Sequence, residues 1–209
     1  MIKILIVDDH AIVRQGLIQI LTEESDMTVV GEAQNAQDFF SLVRNRPWDI
    51  AILDVSLPGR SGLDILKELK HEYPMRPVLM LSAHSEDQYA IRTLKAGAAG
   101  YLSKDSAPTE LIQAVRKVLQ DGKYISPTLA EKIAFDITAE SNRPLHETLS
   151  DREFQVLCQL ASGKTVGELA EEMSLSVKTI STYRTRILQK MKMNNNSDLT
   201  QYAMQHGLV

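Results

Sequence analysis

The stretch Ile2-Lys3-Ile4-Leu5-Ile6-Val7-Asp8-Asp9 is an aliphatic run that stops on two adjacent carboxylates, and a later run, Asp49-Ile50-Ala51-Ile52-Leu53-Asp54, stops on a third. Short apolar segments with no polar alternation are what strands look like when a sheet is covered on both faces, the usual condition of parallel strands in layered α/β domains. The carboxyl ends of such strands open into the crevice where ligands bind, near the point at which strand order reverses. Asp8, Asp9 and Asp54 are expected to converge there. Three carboxylates in one place repel one another unless a cation joins them.

The same punctuation continues to residue 122. Strands at 2–7, 27–33, 50–53, 78–81 and 100–102 alternate with amphipathic helices at 11–23, 35–45, 63–72, 86–96 and 108–121, the last opened by Pro108 and closed by Gly122. Five βα units predict a parallel sheet with helices on both faces. Residues 123–147 contain Pro127, Pro144 and the polar patch Glu140-Ser141-Asn142-Arg143, and read as a linker with one short helix at 129–137. From residue 148 to 209 no strand pattern remains. Four helices are expected, at 151–161, 166–173, 177–191 and 197–206, the first with Ser150 and Glu153 spaced as a capping box. A chain of 209 residues, 44% hydrophobic, suits two domains with a core in each.

Composition narrows the function classes. The single cysteine, Cys158, rules out an internal disulfide and reads as a small core residue in a reducing cytoplasm. No stretch approaches the roughly 18 apolar residues of a membrane span, so no membrane association is expected. Net charge is -4, but it is uneven: 13 basic against 17 acidic residues over 1–122, and 7 against 6 over 148–209. Within the second region the segment 177–192 carries Lys178, Arg184, Arg186, Lys190 and Lys192 with no acid, a local cationic stripe of the kind nucleic acid requires.

Two further groups fall at strand ends, Ser82 and Lys104. A lone strand-end Asp is usually a helix cap and a lone lysine usually solvated surface, but acids, hydroxyl and ammonium together at four strand ends exceed what a core needs. Mg²⁺ takes oxygen ligands and is seated by a few carboxylates and a carbonyl. A lysine opposite it supplies countercharge to a phosphoryl group, and a serine hydroxyl can donate to a phosphoryl oxygen.

The segments Val7-Asp8-Asp9-His10, Asp54-Val55-Ser56-Leu57-Pro58-Gly59-Arg60-Ser61-Gly62, Leu81-Ser82-Ala83 and Gly100-Tyr101-Leu102-Ser103-Lys104-Asp105 resemble the signature of two-component receiver domains. The resemblance covers the whole first half and implies a flavodoxin-like fold. It implies that Asp54 is the phosphoacceptor, that Asp9, with Asp8 partly through water, holds Mg²⁺, and that the Ser56 carbonyl completes the protein ligands. Lys104 would pair with the phosphoryl group. Ser82 and Tyr101 would form a switch in which phosphate draws Ser82 inward and leaves room for Tyr101 to turn in.

In the helical half, Val166, Leu169, Ala170 and Met173 mark one inward face, and after the turn Ser174-Leu175-Ser176 the next helix buries Ile180, Ile187 and Met191 with Tyr183 and Leu188 at the flanks. Its opposite face collects Lys178, Thr182, Thr185, Arg186 and Gln189, with Ser181 at the margin and Lys190 further along. These side chains suit base edges and phosphates in a major groove. Arg184 falls on the buried side. The stretches 149–153, 175–180 and 186–190 are similar to the LuxR-type helix-turn-helix domain, and the two halves together resemble the NarL/FixJ class of response regulators, nearest the branch typified by GacA, UvrY and BvgA. Three departures prevent base contacts from being copied across: the scaffold helix starts Thr165-Val166-Gly167, Ser181 stands where a lysine is usual, and no glycine follows the recognition helix at Met191-Lys192-Met193.

The expected function is a DNA-binding response regulator, not an enzyme on outside substrates: a partner histidine kinase phosphorylates Asp54, the receiver surface changes, and the chain pairs as a homodimer on double-stranded DNA with two half-sites. Leu199, Tyr202 and Ala203 are expected to form an apolar patch between two such domains. Two rivals differ in kind. In one the receiver is only a dimerisation or docking domain, independent of phosphate. In the other the chain is an aspartyl-phosphate hydrolase, which the adjacent Asp8-Asp9, in place of an Asp-x-Asp pair on the first strand, disfavours. No G-x-G-x-x-G follows the first strand, so a dinucleotide site is excluded.

Overall fold

A computed structural model describes residues 1–83, 86–127, 129–131 and 144–209, and the chain divides into two compact units, Met1–Glu131 and Lys132–Val209. The first contains β1 (Ile2–Val7), α1 (Ala11–Thr22), β2 (Met27–Ala33), α2 (Ala36–Asn45), β3 (Ile50–Asp54), α3 (Gly62–Glu72), β4 (Val78–Ser82), α4 (Glu86–Lys95), β5 (Gly100–Ser103) and α5 (Ala107–Asp121). The five strands form one parallel sheet in the order β2-β1-β3-β4-β5. The order reverses between β1 and β3, so the crevice of an open α/β sheet lies where the three acids stand.

Alternation along each strand sorts the core. Ile4 and Ile6 of β1, Ile50 and Ile52 of β3 and Leu79 and Leu81 of β4 pack with Leu17 and Leu21 of α1 and Leu111, Val115 and Val118 of α5, all buried. The intervening Leu5, Val7, Ala51, Leu53 and Met80 are equally buried, on the opposite face. Both faces are dry, which is why the strands read as unbroken apolar runs.

The chain stays with this unit beyond Lys123, where the linker was expected to begin. Tyr124 forms a parallel bridge with Gly100, its N–H donates to the Ala99 carbonyl at 2.8 Å, and its hydroxyl donates to Glu110 at 2.7 Å. Ser126 then caps Leu129, which is fully buried. Polar composition and a proline made this stretch look like tether, yet its tyrosine and leucine belong to the sheet's edge. The helix expected at 129–137 starts earlier, with residue 127 already helical as are 129–131; the rest of it and the polar patch lie outside the described residues.

In the second unit a 3-10 turn (Leu145–Thr148) precedes α6 (Asp151–Ala161), α7 (Val166–Glu172), α8 (Val177–Met191) and α9 (Asn196–Gln205). The Ser150–Glu153 capping box is present, and a second box, Thr165 with Glu168, starts α7. Cys158 is buried, as a small core residue would be. Leu199 and Ala203, expected on a surface patch, are fully buried where α9 packs on α6, and the Tyr202 hydroxyl takes the His146 N–H. Periodicity identified the apolar face of α9 correctly, but that face belongs to the domain's own core.

Candidate functional site

Parallel register brings the carboxyl ends of β1 and β3 side by side: Val7 pairs with Leu53, so Asp8 and Asp54 are the next residues on neighbouring strands. Both are fully buried, and Lys104 joins them, its Nζ 2.7 Å from Asp54 Oδ2 and 2.8 Å from Asp8 Oδ2. Lys104 reaches this position because its N–H donates to the Ser82 carbonyl at 2.7 Å, carrying β5 level with the end of β4. Asp54 Oδ1 accepts from the Ser56 N–H at 3.0 Å, and Asp8 Oδ1 from the His10 N–H at 2.8 Å.

The ligand atoms of Asp8, Asp9, His10 and Asp54 all lie within 4.8 Å of one another. Burial pushes the Asp54 carboxyl up to about 6, and the charge of Asp8 adds to this, while Lys104 and the Ser56 N–H oppose it. Burial pulls the Lys104 ammonium down, but the Asp54 and Asp8 carboxylates outweigh it and hold Lys104 above the ordinary lysine value. The pocket thus has more negative charge than one ammonium comfortably neutralises. A hard divalent cation fits this donor set, and Asp8, Asp9 and Asp54 would hold it.

Ser82 and Tyr101 are both fully buried.

In the second unit Lys178, Ser181, Thr182, Thr185, Arg186, Gln189 and Lys190 are all exposed on α8. Lys178, Thr179, Thr182, Tyr183 and Arg186 share one shallow concavity. The Thr182 and Thr185 hydroxyls donate to the Lys178 and Ser181 carbonyls one turn back, leaving their oxygens to accept or their methyls to touch. Lys190 is held inward: its Nζ pairs at 2.6 Å with Glu153, whose side chain is 4% exposed. Arg184 Nε donates to Asn196 Oδ1 at 2.6 Å, tying α8 to the start of α9. The turn between α7 and α8 is made by Ser174 at φ 53°, and α8 ends on Lys192 at φ 55°, where glycine would ordinarily sit.

Comparison with known families settles what this pair of units is. Residues 4–116 match the response regulator receiver domain, and residues 147–203 match the luxR family of bacterial regulatory proteins. The chain belongs to the response regulators. It is 35% identical over 209 residues to response regulator UvrY of Escherichia coli K12, covering 100% of this chain and 96% of that one. With response regulator GacA of Pseudomonas aeruginosa it shares 34% over 210 residues, covering 100% and 98%. Among solved structures it is similar to RcsB from Salmonella enterica serovar Typhimurium bound to promoter P1flhDC in the presence of phosphomimetic BeF3-, with a TM-score of 0.67, 27% identity and 98% of each chain covered.

This response regulator is therefore a DNA-binding transcription regulator of a two-component system with the UvrY and GacA branch as its relatives, and the hydrolase reading falls away. No described helix is long and apolar enough to cross a membrane. Two groups at the regulator's pocket were missed from sequence. Arg14, one turn into α1, donates from Nη1 to the Asp8 carbonyl at 2.7 Å and pairs through Nε with Glu32, clamping the end of β1. His10 turns its imidazole onto the acids. Both stand within six residues of Asp8, and that proximity was the available signal.

Proposed function

We propose that Asp54 is the phosphoacceptor of this regulator and that its phosphorylation by a histidine kinase controls binding of double-stranded DNA. The observation that carries the reading is the Asp54 carboxylate itself, buried at the switch point, held by Lys104 on one oxygen and by the Ser56 N–H on the other. Asp8, Asp9 and the Ser56 carbonyl, with Asp54, would hold Mg²⁺, which when bound supplies countercharge to the phosphoryl oxygens.

Asp54 attacks phosphorus with a carboxylate oxygen; the new O–P bond forms as the P–N bond to the kinase imidazole breaks, and that nitrogen keeps the electron pair. Phosphorylation removes the Asp54 charge that holds Lys104, so the ammonium passes to a phosphoryl oxygen. Ser82, at the end of β4, donates to another. Attack of water on the acyl phosphate reverses the modification slowly, the one hydrolytic step assigned to the chain.

The target is a cytoplasmic operator of two half-sites, bound by two copies, since one helix-turn-helix module has modest affinity. Lys178, Ser181, Thr182, Thr185, Arg186 and Gln189 face the major groove, with Lys190 a weaker contributor because Glu153 holds it. Radiolabelled acetyl phosphate with Mg²⁺ tests the reading: an acid-stable, alkali-labile label on the wild type and none on Asp54→Asn is expected, and equal labelling of the two overturns it.

A further inference from the structure

A second concavity opens at the other end of the sheet, away from the acceptor crevice. Asp49, Pro77 and Ala99, which stand immediately before β3, β4 and β5, line a groove of about 780 Å³, with Val118 and Leu119 of α5 as its apolar wall. That volume is in the range of small-molecule sites. Two lysines from separate elements meet there. The Lys70 stem runs from α3 over Gly97, whose φ is 101° and where a Cβ would lie 3.4 Å from Lys70 Cγ. Lys70 Nζ donates to the Pro74 and Arg76 carbonyls at 2.5 and 3.0 Å, and Lys123 Nζ donates at 2.5 Å to the carbonyl of Ala98, the residue next to Gly97.

Both ammoniums are thus fixed by backbone, and among the described residues neither forms an ion pair with a carboxylate. Asp49 is already engaged, by the Lys3 N–H at 2.8 Å and by Arg76 at 3.5 Å, and Asp121 at the rim is one charge against two. Burial pulls the Lys70 ammonium below the ordinary lysine value, and the charge of Lys123 lowers it further, as a like charge brought close must. An anion relieves such a pair, and lysine binds phosphate as a point charge. We propose that this groove is a binding site for a small organic phosphate, its phosphoryl oxygens between Lys70 and Lys123 and its apolar body against Val118 and Leu119. A phosphate monoester carries about -1.5 to -2 charge, enough to neutralise both lysines, whereas a carboxylate neutralises one. The site stands apart from Asp54 and does not depend on the cation bound there.

Titration of the ¹⁵N-labelled full chain with phenyl phosphate, at constant ionic strength and without Mg²⁺, tests the proposal, with inorganic phosphate and benzoate as parallel arms. Saturable shifts of the Gly97 and Gly122 amide signals are expected in the wild type and in Lys178→Met, whose lysine lies in the other unit. Lys70→Met and Lys123→Met are each expected to lose at least about tenfold in affinity. Lys123 is exposed, so Lys123→Met carries the test where loss of the Lys70 carbonyl contacts loosens the fold. Phenyl phosphate is expected to bind more tightly than either parallel ligand. Absent shifts at Gly97 and Gly122, or unchanged affinity in Lys123→Met, overturn the proposal. Equal binding of benzoate overturns the assignment of phosphate, and equal binding of inorganic phosphate overturns that of an organic body.

Discussion

Gly62 presses its backbone against Asp54: a Cβ at position 62 would fall 2.0 Å from the Asp54 carbonyl oxygen and 2.9 Å from Val55 Cα, and the Gly62 N–H donates to the Val55 carbonyl at 2.9 Å. The first residue of α3 is thus a stop against which the acceptor strand ends. Backbone cannot yield as a flexible side chain does, so Gly62→Ala must push the β3–α3 loop away. A loss of about 2 kcal/mol or more in denaturant unfolding is expected, together with slower phosphoryl uptake by Asp54.

The Asp54 carboxyl, raised from 3.8 to about 6, is by itself a destabilising element of the fold. A carboxylic acid whose folded pKa exceeds its unfolded one favours folding in its protonated form, so its ionisation costs stability, increasingly from pH 3.8 to 6 and fully above. Asp54→Asn should then stabilise the fold at pH 7 without divalent cation, by roughly 3 kcal/mol at most, seen as a higher thermal midpoint. The gain should shrink below pH 6 and vanish near pH 4. Magnesium should narrow it from the other side by binding the wild type more tightly. Scanning calorimetry across that pH range checks both.

Lys190 and Lys178 lie on one helix but should behave differently. Lys178→Met is expected to weaken binding about equally across operator sequences and to reduce the salt slope by about 1, leaving stability unchanged. Lys190→Met leaves the buried Glu153 carboxylate without its cation, costing about 1 to 2 kcal/mol after allowance for the half-exposed lysine. Burial pushes Glu153 up, but Lys190 and the Ser150 N–H and hydroxyl outweigh it and hold the carboxyl below its usual range. The pair's contribution is therefore present at neutral pH and lost as pH falls through the carboxylate range. Urea unfolding at pH 7 and pH 4 distinguishes the variants.

Lys192 closes the recognition helix at φ 55°, a conformation that costs a residue with a Cβ about 1 kcal/mol or more. Lys192→Gly should stabilise the second unit by about that amount, seen as a higher urea midpoint.

Much of this was legible in the sequence because the physics is local. Aliphatic runs ending on Asp8, Asp9 and Asp54 name their own strands, and the crevice follows from the parallel connection. What periodicity leaves out is the identity of a partner. The apolar face of α9 was visible, but Leu199 and Ala203 meet α6 rather than a second copy. Lys190 stands three residues after buried Ile187, so the helix repeat already aimed it toward the core edge, where a long side chain folds back to Glu153. Tyr124 looked like linker because one aromatic in polar company gives no period, and its place at the sheet edge depends on Gly100, 24 residues earlier.

The proposed phosphoryl group on Asp54 would control DNA binding. The direct measurement is operator affinity of the full chain, on a two-half-site sequence selected from random DNA, with and without acetyl phosphate and Mg²⁺, for wild type and Asp54→Asn. Wild-type affinity is expected to rise at least about tenfold with the donor and that of Asp54→Asn to stay constant. An equal rise in both proteins, or none in the wild type while Asp54 carries label, contradicts it.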